Sequence, residues 1–531
     1  MFEAISTPWI VASFVLWFSF LLMSYKGQPK GLWALALANT GERFGYYTML
    51  AVFALFLGEN FGFAAGTASE IYTWFLTLVY FLPLIGGMAA DRWGYSKMVV
   101  IGIFIMFFGY MLLSVPLGSD TVAIAAMGAA LLLVSFGTGL FKGNLQVMVG
   151  DLYNAPEYSD KRDSGFSLFY MLINVGALFA PTAAIKAMEW AQTSFGYSKA
   201  DSYHFAFAVA CLSVVASILI YYFGKSTFKQ VLGSAKQNKN KTDDTAVEMS
   251  RAETIERMVC LVLVFLVVIF FWMAFHQNGL TLTYFANEFV SPVSTGVQSM
   301  AFDVVNLVMI VFMVYSGMAF FQSKTAKAKA ISGVVFLVAV LVLMWKYREL
   351  SGSVEVSAPI FQQFNPFYVV ALTPVSMAIF SSLAAKGKEP SAPRKIAYGM
   401  IVAGCAYFLM VMASQGLLTP NEQAAAKAAG GETPFASANW LIGTYLVLTF
   451  GELLLSPMGI SFVSKVAPPK YKGAMMGGWF VATAIGNLLV SVGGYLWGGL
   501  SLTIVWSVFI VLCLVSAAFM FLMMKRLEKV A

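Results

Sequence analysis

Apolar residues along this chain gather into long runs that short polar segments separate. Each run is close to the ~20 residues that an α-helix needs to cross the ~30 Å hydrocarbon core of a bilayer. The pattern therefore predicts fifteen membrane-spanning helices. They cover residues 8–25, 31–57, 69–90, 98–116, 121–148, 164–185, 203–223, 258–287, 302–322, 330–345, 358–384, 396–415, 436–464, 473–497 and 500–524.

Composition and charge support a membrane setting. Of 531 residues, 59% are hydrophobic and 11% are charged, whereas soluble domains carry about 25% charged residues. We therefore expect an all-α integral membrane protein surrounded by membrane lipid. Basic residues fall mostly in every second loop, which predicts that those loops and the C-terminus are cytoplasmic. The net charge of +7 then reflects topology, and no nucleic-acid partner is expected.

Two segments of the chain lie outside the two predicted bundles, one within residues 1–27 and the other at residues 224–257. The first apolar run lies within residues 1–27 and has the length of a signal peptide, but Glu3 precedes it and no basic residue does. We interpret it as an extra N-terminal membrane helix. Residues 224–257 form a long Lys-rich stretch, which we interpret as a cytoplasmic linker between two helical bundles. Its "GKS" lacks the upstream glycine of a P-loop, and we expect no enzyme activity, cofactor or metal.

Glu42, Arg43 and Lys142 fall inside predicted helices, where each charge costs about 2.5–3.5 kcal/mol if it faces lipid. Glu42 and Arg43 share one helix face with Asn39 and Tyr46, because these positions are spaced i, i+3, i+4 and i+7. Lys142 lies in the glycine-rich "GTGLFKGN". We expect the three to face a hydrated central cavity, where their surplus positive charge suits a carboxylate. The alternative is a buried structural ion pair with a snorkelling lysine.

The second half of the chain has its own polar residues in apolar surroundings. Glu452 lies in "TFGELLLSP" and His276 in "FFWMAFHQNG". Facing the first bundle, Glu452 would pair with Lys142 or receive a substrate ammonium group. The alternative is that Glu452 forms hydrogen bonds within its own bundle.

Several motifs resemble those of a known family. The segment "GGMAADRWGYSK" is similar to a loop of the major facilitator superfamily, in which Asp91 and Arg92 would clamp the cytoplasmic ends of helices. The segment "FYMLINVG", which starts at Phe169, resembles a signature of the proton-dependent oligopeptide transporters. "ERFGYY", "FKGN", "FNPF" and "GELLLSP" resemble the other signatures of this family, in the family's order, and the resemblance covers about residues 28–526.

The resemblance implies a major facilitator fold of two six-helix bundles with a substrate site between them near the midplane. The N-terminal bundle would be residues 28–223. The C-terminal bundle would be residues 258–301 and 349–531, interrupted by an extra transmembrane hairpin at 302–348. The position of this hairpin after the seventh core helix departs from the central linker, where the family leads us to expect it. The protein would be a monomer in a bacterial cytoplasmic membrane.

The resemblance also implies roles for individual residues. The peptide carboxylate would be bound by Arg43 and Lys142. The amino terminus and backbone would be held by Asn174, Asn365 and Glu452. Side-chain pockets would be lined by Tyr46, Tyr47, Tyr80, Phe169 and Trp479.

Three positions depart from the family's pattern and bear on proton coupling. Asn39 replaces an acid, Leu50 an arginine, and His276 an acid before the glutamine of "FWMAFHQ". The remaining carriers of the proton would be Glu42, Glu452 and His276, since imidazole titrates near pH ~6.5.

The function implied is proton-coupled import of dipeptides and tripeptides by alternating access. In the outward-closed state we expect a bridge from Lys142 to Glu452 to hold the outer ends together. Two alternatives stay open, namely a transporter of nitrate or another small anion and a peptide sensor that does not transport.

Overall fold

The computed structural model describes residues 27–158, 162–232, 249–350, 352–468 and 471–530. The helix predicted at 8–25 lies outside these ranges. The helices are α1 Lys30–Phe61, α2 Ala65–Trp93, α3 Tyr95–Leu113, α4 Thr121–Asp151, α5 Arg162–Phe195, α6 Lys199–Gly224, α7 Arg251–Phe275, α8 Thr281–Phe289, α9 Val304–Gln322, α10 Ala326–Glu349, α11 Phe364–Ala385, α12 Ala392–Ala413, α13 Pro420–Ala428, α14 Ala438–Val466, α15 Lys472–Leu489, α16 Ser491–Leu496 and α17 Leu502–Val530. Two strands, β1 Val293–Thr295 and β2 Ser353–Glu355, pair antiparallel.

The predicted apolar runs from 31–57 onwards each coincide with a helical segment. Within the described ranges, thirteen segments are long and apolar enough to cross a membrane. The helix α1 adds a further segment of 32 residues that carries Glu42 and Arg43. The all-α membrane fold predicted from the sequence is therefore confirmed.

Local sequence sets the ends of several helices. Asp120 accepts a hydrogen bond from the backbone N–H of Ala123 and caps α4, and Ser198 caps α6 in the same way through Asp201. These caps satisfy backbone donors that a helix start leaves unpaired. At the other end of α1, Gly62 adopts φ +68°, a left-handed conformation that glycine reaches without a steric penalty.

Helices α1–α6 form the N-terminal bundle, in which α1 packs on α5 and α6, and α4 packs on α2 and α3. Side-chain contacts tie the helix ends that the alternating topology brings together. Ser96 at the start of α3 bonds Tyr221 near the end of α6, and Tyr153 after α4 donates to Gln28 before α1. These ends lie beside the loop that carries Arg92, and we call this side of the protein the basic end.

Helices α7, α8, α11, α12 and α14–α17 form the C-terminal bundle, with α12 central between α14 and α17. Its basic end is held by ion pairs. Arg526 forms two hydrogen bonds with Glu256 at 2.6 and 2.7 Å, and Arg394 binds Glu528 at 2.6 Å. Lysine and arginine thus gather at one end of both bundles.

Helices α9 and α10 form a hairpin that packs on itself and, through α9, on α11. Strands β1 and β2 close its base, where Asp303 also forms an ion pair with Lys346. Only Ala339 of α10 is buried, so most of this helix faces the surrounding lipid. The hairpin lies between α8 and α11.

The two bundles are joined by hydrogen bonds away from the basic end. Gln362 donates to the carbonyl of Ala51 at 3.1 Å, and Thr182 to the side chain of Gln363 at 3.3 Å. On the other side of the interface Thr77 donates to the carbonyl of Ala484 at 3.4 Å. Among the described residues, no hydrogen bond joins the bundles at the basic end. The conformation is therefore closed at the opposite end.

The close packing of α3 on α4 gives a test of the fold. A Cβ atom at Gly102 would lie 2.6 Å from the carbonyl oxygen of Gly137, whereas one at Gly128 of α4 would have nothing within 4 Å. We expect Gly102→Ala to destabilise the protein by about 1–3 kcal/mol through overpacking. Gly128→Ala should be neutral or stabilising, because alanine favours a helix. Thermal unfolding in detergent checks this, and equal midpoints for both variants would contradict the packing.

Candidate functional site

Glu42 and Arg43 form a buried ion pair on α1. The Nε and Nη2 atoms of Arg43 each donate to a carboxylate oxygen of Glu42 at 2.6 Å. Glu42 is 0% and Arg43 3% exposed. The expectation that both face a hydrated cavity is therefore wrong for this conformation, because the two charges neutralise each other inside the bundle. The guanidinium also lies over the Tyr46 ring, 4.7 Å from its centroid.

Lys142 on α4 has a neutral neighbour. Its Nζ lies over the ring of Tyr80 on α2, 4.2 Å from the centroid, which is a cation–π contact. Within the described part of the chain it forms no ion pair. Its charge is therefore available to a partner from outside the protein.

Glu452 on α14 is held within its own bundle. Asn365 on α11 donates from Nδ2 to a carboxylate oxygen of Glu452 at 2.9 Å and to the hydroxyl of Thr449 at 3.0 Å. Glu452 is 9% exposed. The carboxyl group thus lies near the bundle interface with a neutral amide as its hydrogen-bond donor.

Tyr80 lies between the two bundles. Its ring contacts Lys142 of the N-terminal bundle and lies 6.1 Å from the imidazole of His276 in the C-terminal bundle. Tyr47, Tyr80 and Tyr170 all lie near Glu452. We call the set formed by Tyr47, Tyr80, Lys142, Tyr170 and Glu452 the central site. It presents a cation from one bundle, an anion from the other, and aromatic rings between them.

His276 lies where the seventh membrane segment breaks. Helix α7 ends at Phe275, and residues His276–Gly279 form a 3₁₀ turn before α8. The imidazole stacks on Trp272 with ring centroids 5.0 Å apart and lies 6.1 Å from the Tyr80 ring. Its Nδ1 is 2.5 Å from Oδ1 of Asn487 on α15. Since that oxygen only accepts, Nδ1 donates and Nε2 keeps its lone pair.

Three of the aromatic residues predicted to line pockets are packed inside their bundles, and Tyr46 is 2% exposed. Phe169 is 3% exposed in the hydrophobic core, whereas its neighbour Tyr170 is 50% exposed. Asn174 donates to the carbonyl of Tyr170 at 3.1 Å. Trp479 is 3% exposed and packs over Gly459 of α14. Tyr170, rather than Phe169, therefore accompanies the charges of the central site.

The bridge expected between Lys142 and Glu452 is absent from this conformation, although the bundles are closed at one end. Lys142 contacts the Tyr80 ring and Glu452 binds Asn365 instead. Gln362 and Thr182 make closing contacts with uncharged groups, and the hydroxyl of Tyr495 on α16 donates to the carboxylate of Glu70 on α2. Closure at that end thus needs no ion pair between the bundles.

Asp91 and Arg92 lie at the turn from α2 to α3. The carboxylate of Asp91 accepts a hydrogen bond of 2.6 Å from the hydroxyl of Tyr95, and Arg92 lies over the ring of Trp93. Gly94, which lies between α2 and α3, has φ +100°, which suits a residue without a Cβ. The hydrogen bond from Tyr95 to Asp91 holds the short connection between the two helices.

Two residues near the central charges, Asn487 and Tyr170, were not predicted from the sequence. Asn487 stands alone in the apolar run "VATAIGNLLV", so its isolation was a signal that it had a polar partner. Tyr170 is part of "FYMLINVG", but the motif does not say which of two adjacent aromatic rings faces the other bundle.

The two bundles and the charged centre between them are those of a membrane transporter with a major facilitator fold. A solved structure of the peptide transporter POT in complex with sulfate has this fold, with a TM-score of 0.71, 21% identity and coverage of 95% of this chain and 96% of that one. A family model described as the POT family matches residues 96–244 and 346–494, more than half of the chain. The protein belongs to the POT family of transporters and is not an enzyme.

Bacterial relatives match over most of their length. An uncharacterised transporter of Bacillus subtilis, YclF, is 29% identical over 86% of both chains. A di-/tripeptide transporter of Lactococcus lactis is 26% identical over 86% of this chain and 88% of its own. The chain is thus similar to complete transporters.

The buried ion pair of α1 can be tested by removing one charge. Glu42→Gln leaves the Arg43 guanidinium buried without a counter-charge, which should destabilise the protein by about 3–5 kcal/mol. The double variant Glu42→Gln/Arg43→Gln should recover part of this loss, since no charge remains unpaired. Thermal unfolding in detergent measures both.

A surface pair gives the matched control for that cycle. Glu189 pairs with Lys186 at 2.7 Å, and both side chains are about half exposed. Glu189→Gln should change stability by less than ~1 kcal/mol. A Glu42→Gln variant as stable as Glu189→Gln would contradict the buried pairing.

Proposed function

We propose that this transporter imports dipeptides and tripeptides together with protons by alternating access. The observation that carries the proposal is the central site, where Lys142 of one bundle and Glu452 of the other each have a neutral partner, the ring of Tyr80 and the amide of Asn365. A peptide with free ends has one negative and one positive terminus. It therefore matches this arrangement, whereas a simple anion has no use for a carboxylate.

In the proposed complex, Lys142 and Arg43 bind the peptide carboxylate. Lys142 has no competing ion pair among the described residues, and Arg43 uses only Nε and Nη2 for Glu42. The ammonium group binds Glu452, with Asn365 and Asn174 nearby for the backbone. Aromatic rings bind by contact area, which suits many different side chains.

The relatives' names agree with this substrate class. The Lactococcus lactis relative is a di-/tripeptide transporter, and a 25% identical protein of Escherichia coli is dipeptide and tripeptide permease A. These names apply to those proteins. For this chain they support peptides over nitrate, together with the retained Glu452.

The closed end indicates which step of the proposed transport cycle this conformation represents. If the basic end lies in the cytoplasm, as the distribution of lysine and arginine predicts, this conformation is closed to the outside and releases substrate inward. In a bacterial cytoplasmic membrane the C-terminus then lies inside. Substrate and proton shift the equilibrium only by binding the two states with different affinity.

The proton carriers proposed are His276, Glu452 and Glu42. The Nε2 atom of His276 keeps a lone pair because Nδ1 bonds Asn487. Glu452 has a neutral amide as partner, so a proton there breaks no ion pair. Glu42 binds Arg43 through both oxygens, and protonation would disrupt two charge-assisted hydrogen bonds. The geometry therefore favours His276 and Glu452 over Glu42.

Competition for uptake of labelled dialanine tests the role of Glu452. Dialanine should compete at about ten- to hundred-fold lower concentration than N-acetyl-dialanine, because losing a hydrogen bond to a charged group costs about 1.5–3 kcal/mol. In Glu452→Gln the ratio of the inhibitory concentration of N-acetyl-dialanine to that of dialanine should fall towards one.

Dialanine amide supplies the control for that measurement. It lacks the carboxylate, so its weaker competition depends on Arg43 and Lys142 and should persist in Glu452→Gln. A ratio for N-acetyl-dialanine that is unchanged in Glu452→Gln would place the ammonium elsewhere.

Uptake of dialanine into proteoliposomes with an inward proton gradient tests coupling. We expect His276→Gln to lose gradient-driven accumulation and to keep counterflow exchange, because glutamine cannot take up a proton. His204→Gln is the matched control, since His204 bonds the carbonyl of Leu113 inside the N-terminal bundle and should behave as wild type.

The other outcomes of this experiment are informative. Unchanged accumulation in His276→Gln would move coupling to Glu452 or Glu42. No dialanine flux in any of the proteins would overturn peptide transport and favour an anion transporter or a sensor.

A further inference from the structure

A cavity lies between the hairpin and the C-terminal bundle, away from the central site. Its volume is about 480 Å³, within the ~300–1,000 Å³ typical of ligand pockets. It is lined by Leu307 and Ile310 of α9, Leu343 and Met344 of α10, and Phe367 of α11. An apolar cavity of this kind does not hold water well, so its natural occupant is apolar.

The depth of the cavity indicates what surrounds it. Its walls are the first turns of α9, α11 and α14 and the last turns of α10. All of these lie at the end of the protein opposite the basic end. Only Ala339 of α10 is buried, so the outer surface of the hairpin beside the cavity is accessible to lipid.

Polar groups occur at the rim of the cavity. Tyr347 lines it and is 47% exposed, as expected for an aromatic residue at a membrane interface. Lys346 and Arg348 flank Tyr347, and Arg348 is exposed and forms no ion pair within the described ranges. A phosphate group placed beside this turn would meet the charge of Arg348, since Lys346 is already paired with Asp303.

One lining residue has an unsatisfied polar atom. Asn306 is 2% exposed, and its Nδ2 donates to the carbonyl of Met300 at 2.9 Å. That bond fixes the amide, and its Oδ1 is buried without a partner. A buried acceptor of this kind is costly unless a donor reaches it. The Asn306 amide is therefore a polar group within an otherwise apolar wall.

We propose that this cavity is a binding site for a phospholipid. One acyl chain fills the space between α9, α10 and α11, and the phosphate lies beside Arg348. The site is independent of the peptide and proton sites. It also gives the extra hairpin a role, since the bound lipid fills the space that the hairpin leaves against the C-terminal bundle.

Native mass spectrometry of the delipidated protein titrated with phosphatidylglycerol tests the proposal. This lipid supplies an acyl chain, a phosphate and hydroxyl donors. Leu343→Trp fills the cavity and should weaken the tightest adduct about ten-fold or more, the effect of losing roughly two buried methylene groups. The matched control is Leu341→Trp on the same helix, at a side chain that is 62% exposed, which should leave the adduct unchanged.

Two further variants keep the test decisive. Ile310→Trp narrows the cavity from α9 and should give the same loss if Leu343→Trp proves poorly folded. Arg348→Gln should weaken the adduct several-fold. Equal adducts in wild type, Leu343→Trp and Ile310→Trp would overturn the acyl-chain site, and an unchanged adduct in Arg348→Gln would overturn the placement of the phosphate.

Discussion

A charge inside a bilayer needs an opposite charge or hydrogen bonds, and this constraint organises the centre of the protein. Glu42 and Arg43 meet it within a single helix, which lets α1 occupy the middle of the N-terminal bundle. Lys142 and Glu452 meet it with neutral partners, an aromatic ring and an amide. The first pair is satisfied without substrate. The other two charges retain most of their capacity to bind one, and in the proposed complex Arg43 joins them through the donor groups that it does not use for Glu42.

The contacts that close the end opposite the basic end are hydrogen bonds and include no ion pair between the described residues of the two bundles. Each neutral hydrogen bond contributes about 0.5–1.5 kcal/mol net, whereas removing one partner of a buried ion pair costs about 3–5 kcal/mol. A transporter has to open and close repeatedly, and a ligand shifts such an equilibrium only by its difference in affinity for the two states. Closure through Gln362, Thr182 and Thr77 keeps the two states within the range that a small peptide and a proton can reverse.

The lipid environment makes the membrane helices predictable from the sequence. The site is only partly predictable. A membrane helix must be apolar over most of its length, so the apolar runs from 31–57 to 500–524 are recognisable in the sequence. Which side chain faces the other bundle depends on helix rotation. Phe169 and Tyr170 are adjacent in one motif, yet one is buried and the other half exposed. The buried pairing of Glu42 with Arg43 was only the alternative interpretation of the sequence, because neighbours at i and i+1 do not usually face each other on a helix.

The break in the seventh membrane segment connects the proposed proton carrier with the bundle interface. Non-helical backbone within a membrane must be satisfied by protein groups, and Gln277 does this by donating to the carbonyl of Val490 at 2.9 Å. His276 bonds Asn487 one turn earlier on the same side of the bundle. Helix α15 also carries Ala484, which accepts the hydrogen bond from Thr77 across the interface. A change in the charge of His276 would therefore act on the rigid element that meets the opposite bundle, which gives the proposed proton step a physical route to closure.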